Sequence, residues 1–173
     1  MARFGFPAIA IFGFACAAMT ADPAGAQQSA AAPAASTASF LNSVAAGNQF
    51  EIDSSKLALS RSKSDAVKRF AQRMVDDHTE AAGKFKIAVT EAKLTPPSEK
   101  LDAKHQAVFD SLTAANDASF DKLYIDAQYK AHVETVDLFK AYAKGGDNAR
   151  MKQFANELLP TLQAHLDHVG KMR

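Results

Sequence analysis

Four residues in this sequence have side chains that could bind a metal ion: Glu51, His78, His132 and His165. Each belongs to a run of residues at spacings of three and four, so each is predicted to face inward from a different helix. Polar groups in the core of a helical bundle are costly unless they form hydrogen bonds, ion pairs or metal–ligand bonds. Three imidazoles and one carboxylate suit zinc, copper or iron. Our first hypothesis is therefore a mononuclear transition-metal site formed by these four residues.

The same residues are also compatible with a core that holds no metal. A buried histidine commonly donates a hydrogen bond to a backbone carbonyl or an acid, and Glu51 can pair with one of the histidines. In this second hypothesis the four residues form a polar network that fixes the core. The protein is then an interaction or structural module that binds an envelope protein or a second copy of itself. The sequence alone leaves both hypotheses open.

The residues around the histidines argue against a ferritin-type diiron enzyme. That centre needs Glu-x-x-His on two helices, but the residues three positions before the histidines are Val75, Tyr129 and Leu162. The sequence also contains no glycine-rich phosphate loop, no activated-serine motif and no paired carboxylates at a recognisable catalytic spacing. We therefore predict no catalytic residues.

Two acidic residues, Asp76 and Asp77, directly precede His78 but point to different sides of the helix from it. Either could still orient an imidazole by accepting a hydrogen bond from its ring. The remaining histidines, His105 and His168, are predicted to lie at the surface.

Beyond residue 38 the chain is predicted to be entirely helical, because no stretch alternates with a period of two over a convincing length. Pro96-Pro97 and Gly145-Gly146 break the helical pattern, as proline and glycine do at helix ends. The predicted helices cover about residues 39–59, 62–93, 99–114, 116–144 and 148–170.

Four long helices in two hairpins predict a four-helix bundle, with the short helix in the connection between the hairpins. The topology is ferritin-like if this connection crosses over the bundle. Whether the candidate ligands lie at one level is open. Measured from turns at Ser62 and Gly146, the two candidates in each hairpin differ by five residues, roughly 7–8 Å along the axis.

The first 26 residues have the features of a cleavable secretory signal peptide. Arg3 supplies a positive charge, residues 4–19 are apolar, and Ala24-Gly25-Ala26 supplies small residues before the cleavage site. Residues 27–38 are small and polar and predict a flexible tether, which leaves residues 39–173 as the bundle domain. The predicted location is the periplasm.

Cys16 is the only cysteine, and it lies within the predicted signal peptide. The sequence argues against lipid anchoring there, because Gly13-Phe14-Ala15 is a poor lipobox. The mature protein would then have no thiolate for a disulfide or a metal site. Its net charge of +1 indicates no nucleic-acid surface, and no later segment is apolar enough to span a bilayer.

Two sets of residues resemble a family of exported bacterial proteins known as domain of unknown function four-one-four-two. The first set contains Phe40-Leu41, Glu51-Ile52, Val67-Lys68, Phe70-Ala71, Met74-Val75 and Asp77-His78. The second contains Phe120-Asp121, Tyr124, His132, Leu138-Phe139, Leu158-Leu159-Pro160, Leu162 and His165-Leu166. The resemblance covers about residues 39–169.

This resemblance implies a ferritin-like four-helix fold in an exported protein, and members of the family are often labelled outer-membrane proteins. The acid and histidines characteristic of the family fall on Glu51, His78, His132 and His165. The resemblance implies no catalytic residue. Metal handling or protection against envelope stress is the role we expect by analogy.

Overall fold

The structure is a computed structural model that describes Met1 and residues 36–173. The predicted signal peptide beyond Met1, its cleavage site and Cys16 lie outside the described residues, as does the predicted tether up to residue 35. Export and the absence of a lipid anchor therefore stay predictions.

The described chain contains five helices and no strand: α1 (Thr37–Arg61), α2 (Asp65–Glu91), α3 (Ala103–Ala114), α4 (Asp117–Gly145) and α5 (Ala149–Met172). The predicted all-α class is confirmed. At each helix start a polar side chain accepts a hydrogen bond from a free backbone N–H group. These capping residues are Ser36, Ser64, Asp102, Asn116 and Asn148. Because Ser36 caps α1, the last two residues of the predicted tether are helical.

The end of α2 is set by backbone geometry before the two prolines are reached. Lys93 adopts a positive φ of 55°, and the N–H of Leu94 bonds back to the carbonyl of Val89. At the end of α4, a Cβ on Gly146 would lie 2.6 Å from the ring of Tyr142. Only glycine fits this turn without displacement of the ring. The turn connects α4 to α5, which packs against it.

The four long helices have the predicted ferritin-like arrangement. α1 packs against α2 and α4, and α5 packs against α4 and α2, whereas the diagonal pairs make marginal contacts at most. Since α2 and α4 lie on a diagonal, the connection that contains α3 must cross the bundle. α3 packs against α1 and α4 on the outside.

The apolar core is divided into two clusters along the bundle axis. The first contains mainly Phe40, Val44, Phe85, Val136, Phe139, Tyr142, Phe154, Leu158 and Leu162. The second contains mainly Phe50, Val67, Phe70, Met74, Phe120, Tyr124 and Val169. The four candidate ligands belong to neither cluster. The three histidines lie where their helices pass from one cluster to the other, and Glu51 directly follows Phe50 of the second cluster. They form a polar layer near the middle of the bundle.

Within the described residues, no helix combines the length and the apolar character needed to cross a membrane.

Candidate metal centre

Three histidines from three helices meet inside the polar layer: His78 on α2, His132 on α4 and His165 on α5. One ring nitrogen from each lies within 4.8 Å of the others. The side chains are almost completely buried, with 5%, 1% and 1% of their surfaces exposed. Ligand nitrogens at this separation need only a small inward movement to reach the bond lengths of about 2.0–2.1 Å that transition metals form with imidazole.

In each imidazole, one of the two ring nitrogens donates a hydrogen bond that orients the ring. His78 Nδ1 donates to Asn48 Oδ1 of α1, at 3.0 Å. His132 Nδ1 donates to the backbone carbonyl of Gln128, at 2.9 Å. His165 Nε2 donates to Asp77 Oδ2 of α2, at 2.7 Å. Such outer hydrogen bonds fix the orientation and tautomer of metal-binding histidines.

The other nitrogen of each ring has no hydrogen-bond partner among the described residues. These atoms are His78 Nε2, His132 Nε2 and His165 Nδ1. A carbonyl or a carboxylate can only accept, so the partner nitrogen must carry the proton and the free nitrogen of a neutral ring must carry a lone pair. Three neighbouring rings, with centroids 5.4–5.7 Å apart, therefore each carry a buried acceptor that has no donor among the described residues.

Glu51 lies beside this cluster, not within it. Its Oε1 is 3.7 Å from His132 Nδ1, the nitrogen that is already bonded to Gln128. Its Oε2 is buried and has no hydrogen-bond partner among the described residues. The structure thus brings three of the four predicted ligands together and places the fourth behind one of them.

Burial controls the protonation of the cluster. Burial lowers the pKa of His78 well below its usual value, and the neighbouring His132 and His165 lower it further. Burial also lowers the pKa of His165 to about 4, although the hydrogen bond that its ring donates to Asp77 acts in the opposite direction. Near neutral pH both rings are therefore neutral and able to bind a metal.

The two carboxyl groups are shifted in opposite directions. Burial raises the pKa of Glu51, and the nearby His132 only partly offsets this effect. Burial of Asp77 acts to raise its pKa, but hydrogen bonds from His165 and Arg73 outweigh it and the pKa is lowered. Asp77 is therefore ionised near neutral pH and supplies negative charge directly behind His165.

Sequence reasoning identified the inward histidines and suggested that Asp76 or Asp77 could orient a ring, but it did not assign Asn48 or Gln128. Asn48 lies one turn before Glu51 on the same inward face of α1, which is a usable signal. The Gln128 carbonyl lies one turn before His132 and carries no side-chain signal. His168 is exposed, as expected, whereas His105 is partly buried and packs against Phe50 with 5.3 Å between ring centroids.

The fold is similar to that of a solved structure described as "CopM in the Cu(II)-bound form". The two chains share 16% sequence identity with a TM-score of 0.66, and the match covers 79% of this chain and 95% of that chain. At this identity the likeness shows the shared fold alone. No curated protein matches the sequence significantly.

The sequence comparison with family models covers almost all of the described chain. The model described as Domain of unknown function (DUF4142) matches residues 22–172. This match agrees with the resemblance seen in the pattern of acidic, aromatic and histidine residues, and the chain belongs to the DUF4142 family.

Proposed function

We propose that this protein binds one transition-metal ion between His78, His132 and His165. The observation that carries the proposal is a cluster of three buried histidines with ligand nitrogens within 4.8 Å of one another, each ring keeping one nitrogen without a hydrogen-bond partner among the described residues. The hydrogen bonds to Asn48, Gln128 and Asp77 already fix the orientation of each ring and leave its other nitrogen free to bind a metal. The ligand set is therefore built before the metal arrives.

A metal-free polar network accounts less well for this geometry. In such a network the rings would donate to one another or to Glu51, but their protons are used by Asn48, Gln128 and Asp77. One water molecule could donate only two hydrogen bonds to the three acceptors. A single cation satisfies all three at once, and it removes the penalty for unpaired buried acceptors.

The donor set favours copper or zinc. Neutral imidazoles are suitable ligands for copper, zinc and iron, and divalent copper heads the general order of affinity. Asp77 places negative charge directly behind His165, which favours a divalent ion over a monovalent one. The similar fold of CopM has been solved in a Cu(II)-bound form. We therefore expect Cu(II) to bind most tightly, followed by Zn(II) and then Fe(II).

Glu51 has two roles open to it in this proposal. As predicted from the sequence, it could complete the coordination as a fourth ligand after a side-chain rotation. In the observed rotamer it instead balances the charge of the metal from behind His132. We favour the second role, since Oε1 lies beside the nitrogen of His132 that faces away from the free lone pairs.

The biological role that fits this site is metal handling by an exported protein. The polar layer is enclosed between two apolar clusters. Metal binding accounts for its residues without any additional catalytic side chain. Binding and release of an ion are therefore the activities that we assign to it, with the periplasm as the predicted location.

The test is elemental analysis of protein expressed from the full sequence and purified without chelator or affinity tag. We expect close to one ion per chain in the wild type and none in a Glu51→Ala, His78→Ala, His165→Ala variant that keeps its helix content. A double variant, His105→Ala with His168→Ala, serves as the control because both histidines lie outside the cluster. Metal-free wild type that also takes up no copper, zinc or iron would support the interaction module instead.

A further inference from the structure

An open groove between α2 and α5 reaches the histidine cluster from the surface. It has a volume of about 290 Å³, and its polar lining consists of Arg73, Asp77, His78, Glu80, Lys84 and Thr161. His78 is therefore both a wall of this groove and a member of the cluster. Its free Nε2 is one of the three unpartnered nitrogens.

A smaller cavity of about 40 Å³ lies on the inner side of the same wall, and its lining includes Asn48 and Glu51. The groove and the cavity share four lining residues, His78, Ala81, Leu158 and Leu162. A single layer of side chains therefore separates the polar interior from solvent at this place.

Two carboxylates, those of Asp77 and Glu80, line this groove. Asp77 is 32% exposed, and its bonds to Arg73 and His165 both end on Oδ2, so Oδ1 remains available to a cation. Glu80 is 67% exposed and pairs with Lys84 at 2.7 Å. Exposed pairs of this kind are weak and exchange easily with solvent and ions.

The groove between α3 and α4 provides a comparison. It has a similar volume of about 270 Å³ and a similar ion pair, formed by Lys104 and Glu134. Ala131 lines this groove, but none of the three clustered histidines does. A cation in that groove therefore contacts none of the three clustered histidines.

We propose that divalent metal ions enter and leave the histidine cluster through the groove between α2 and α5, where Glu80 attracts them and Asp77 passes them to His78. This inference rests on the proposed function. The route ends at His78 Nε2, so His78 is the first ring that an incoming ion meets and the last that a departing ion leaves.

The first test narrows the route without changing a ligand. Ala81→Leu adds bulk to the layer shared by the groove and the cavity, and Ala131→Leu adds the same bulk to the groove between α3 and α4. Cu²⁺ uptake by the metal-free protein is followed by stopped-flow absorbance, and release is followed after mixing with excess EDTA. We expect Ala81→Leu to slow uptake and release together by about tenfold, with Kd nearly unchanged, because a barrier on the path changes both rates equally.

The second test uses charge and leaves the packing intact. Glu80→Gln is expected to slow Cu²⁺ uptake about two- to fivefold at low ionic strength, and the effect should vanish in high salt. Glu134→Gln, the matched change at the other groove, is expected to leave the uptake rate near that of the wild type. If Ala81→Leu loses helix content, the comparison of Glu80→Gln with Glu134→Gln decides whether the proposed route is correct.

The proposed route is wrong if the variants at the two grooves have equal rates, or if those at the α3–α4 groove are slower. Normal equilibrium binding of Cu²⁺ with equal rates in all variants overturns the route and leaves the proposed function standing. A wild type that binds no Cu²⁺ at equilibrium overturns the proposed function and the route together.

Discussion

Asp77 of α2 and His165 of α5 form a hydrogen bond across the helix interface, with 2.7 Å between Oδ2 and Nε2. This bond keeps the proton of the ring on Nε2, so Nδ1 carries a free lone pair. Asp77 also bonds to Arg73 one turn earlier on the same helix, which holds the carboxylate in place. The acid next to His78 in the sequence therefore serves a different histidine in space.

Replacement of Asp77 by asparagine should weaken metal binding without unfolding the bundle. The amide removes the negative charge behind His165 and weakens the bond that orients the ring, so we expect affinity for Cu²⁺ to fall about 10- to 100-fold. Competition with a chelator of known affinity measures this change. The control is Asp76→Asn, because Asp76 is exposed and bonds only to Gln72 among the described residues. Equal affinities of the two variants would contradict this role for Asp77.

His132→Leu should separate a metal site from a structural polar network. The substitution removes a buried ring whose Nε2 has no partner, so the metal-free protein should be as stable as the wild type or more stable. In the wild type, Cu²⁺ at 100 times its Kd should add about 2.7 kcal/mol to the free energy of unfolding. The variant should show no such gain in a thermal melt. Strong destabilisation of the metal-free variant would instead favour the structural network.

Glu51→Gln tests whether this carboxylate is a ligand or a charge-balancing neighbour. If it acts from behind His132, the variant should still bind one ion, with a modest loss of affinity. Because burial raises the pKa of Glu51, the folded protein is disfavoured by its ionisation as pH rises above the unfolded value of 4.5. The metal-free variant should therefore be more stable than the wild type near pH 7 and similar to it at pH 4. Loss of stoichiometric metal would identify Glu51 as a ligand.

The helix ends and inward faces could be predicted from sequence because they depend on local chemistry. Capping residues such as Ser64 and Asn116, and the break at Gly145-Gly146, act within one turn of the chain. The inward position of His78 follows from the period of the helix alone. The position of Glu51 behind His132 could not be predicted, since it depends on the rotation of α1 against α4.

The offset between the candidate ligands is smaller than the sequence suggested. The turns are centred near Lys63 and Asp147, between the observed helix ends, so the offset in each hairpin is three residues, about 4–5 Å along the axis. Side chains on a helix tilt toward its N-terminus. The residue before each turn thus tilts away from the turn and the residue after it tilts toward the turn, which closes the remaining gap.

Gly146→Ala should destabilise the fold at the turn between α4 and α5. The added Cβ would lie 2.6 Å from the ring of Tyr142 and 2.7 Å from its backbone oxygen, so the turn must shift. Overpacking of this kind costs about 1–3 kcal/mol, measured by chemical denaturation. The control is Gly83→Ala in α2, where a Cβ meets nothing within 4 Å. There alanine should stabilise the helix by about 0.5–1 kcal/mol, and a similar loss in both variants would argue against the clash.

The stability of the metal-free protein should fall as pH decreases from about 6.5 to 4. In the unfolded chain His165 takes up a proton near its usual pKa of 6.5, whereas in the folded protein it does so only near 4. The unfolded state therefore binds more protons in this window, and stability is lost as pH falls. The shift corresponds to about 3 kcal/mol for His165, and the lowered pKa of His78 adds to the loss.

Several charged groups near His165 affect its protonation, so the test replaces His165 itself and compares it with a replacement of the exposed His168. Asp77 favours the protonated form of His165, whereas Arg73 disfavours it. The raised pKa of Glu51 opposes the effect of His165, because it makes the folded protein more stable as pH falls. His165→Gln should flatten the loss between pH 6.5 and 4.5 in urea denaturation of the metal-free protein. His168→Gln, which changes an exposed ring, should keep the slope of the wild type. A wild-type protein equally stable at both pH values would contradict the lowered pKa values, because the cluster would then take up protons as readily in the folded state as in the unfolded state.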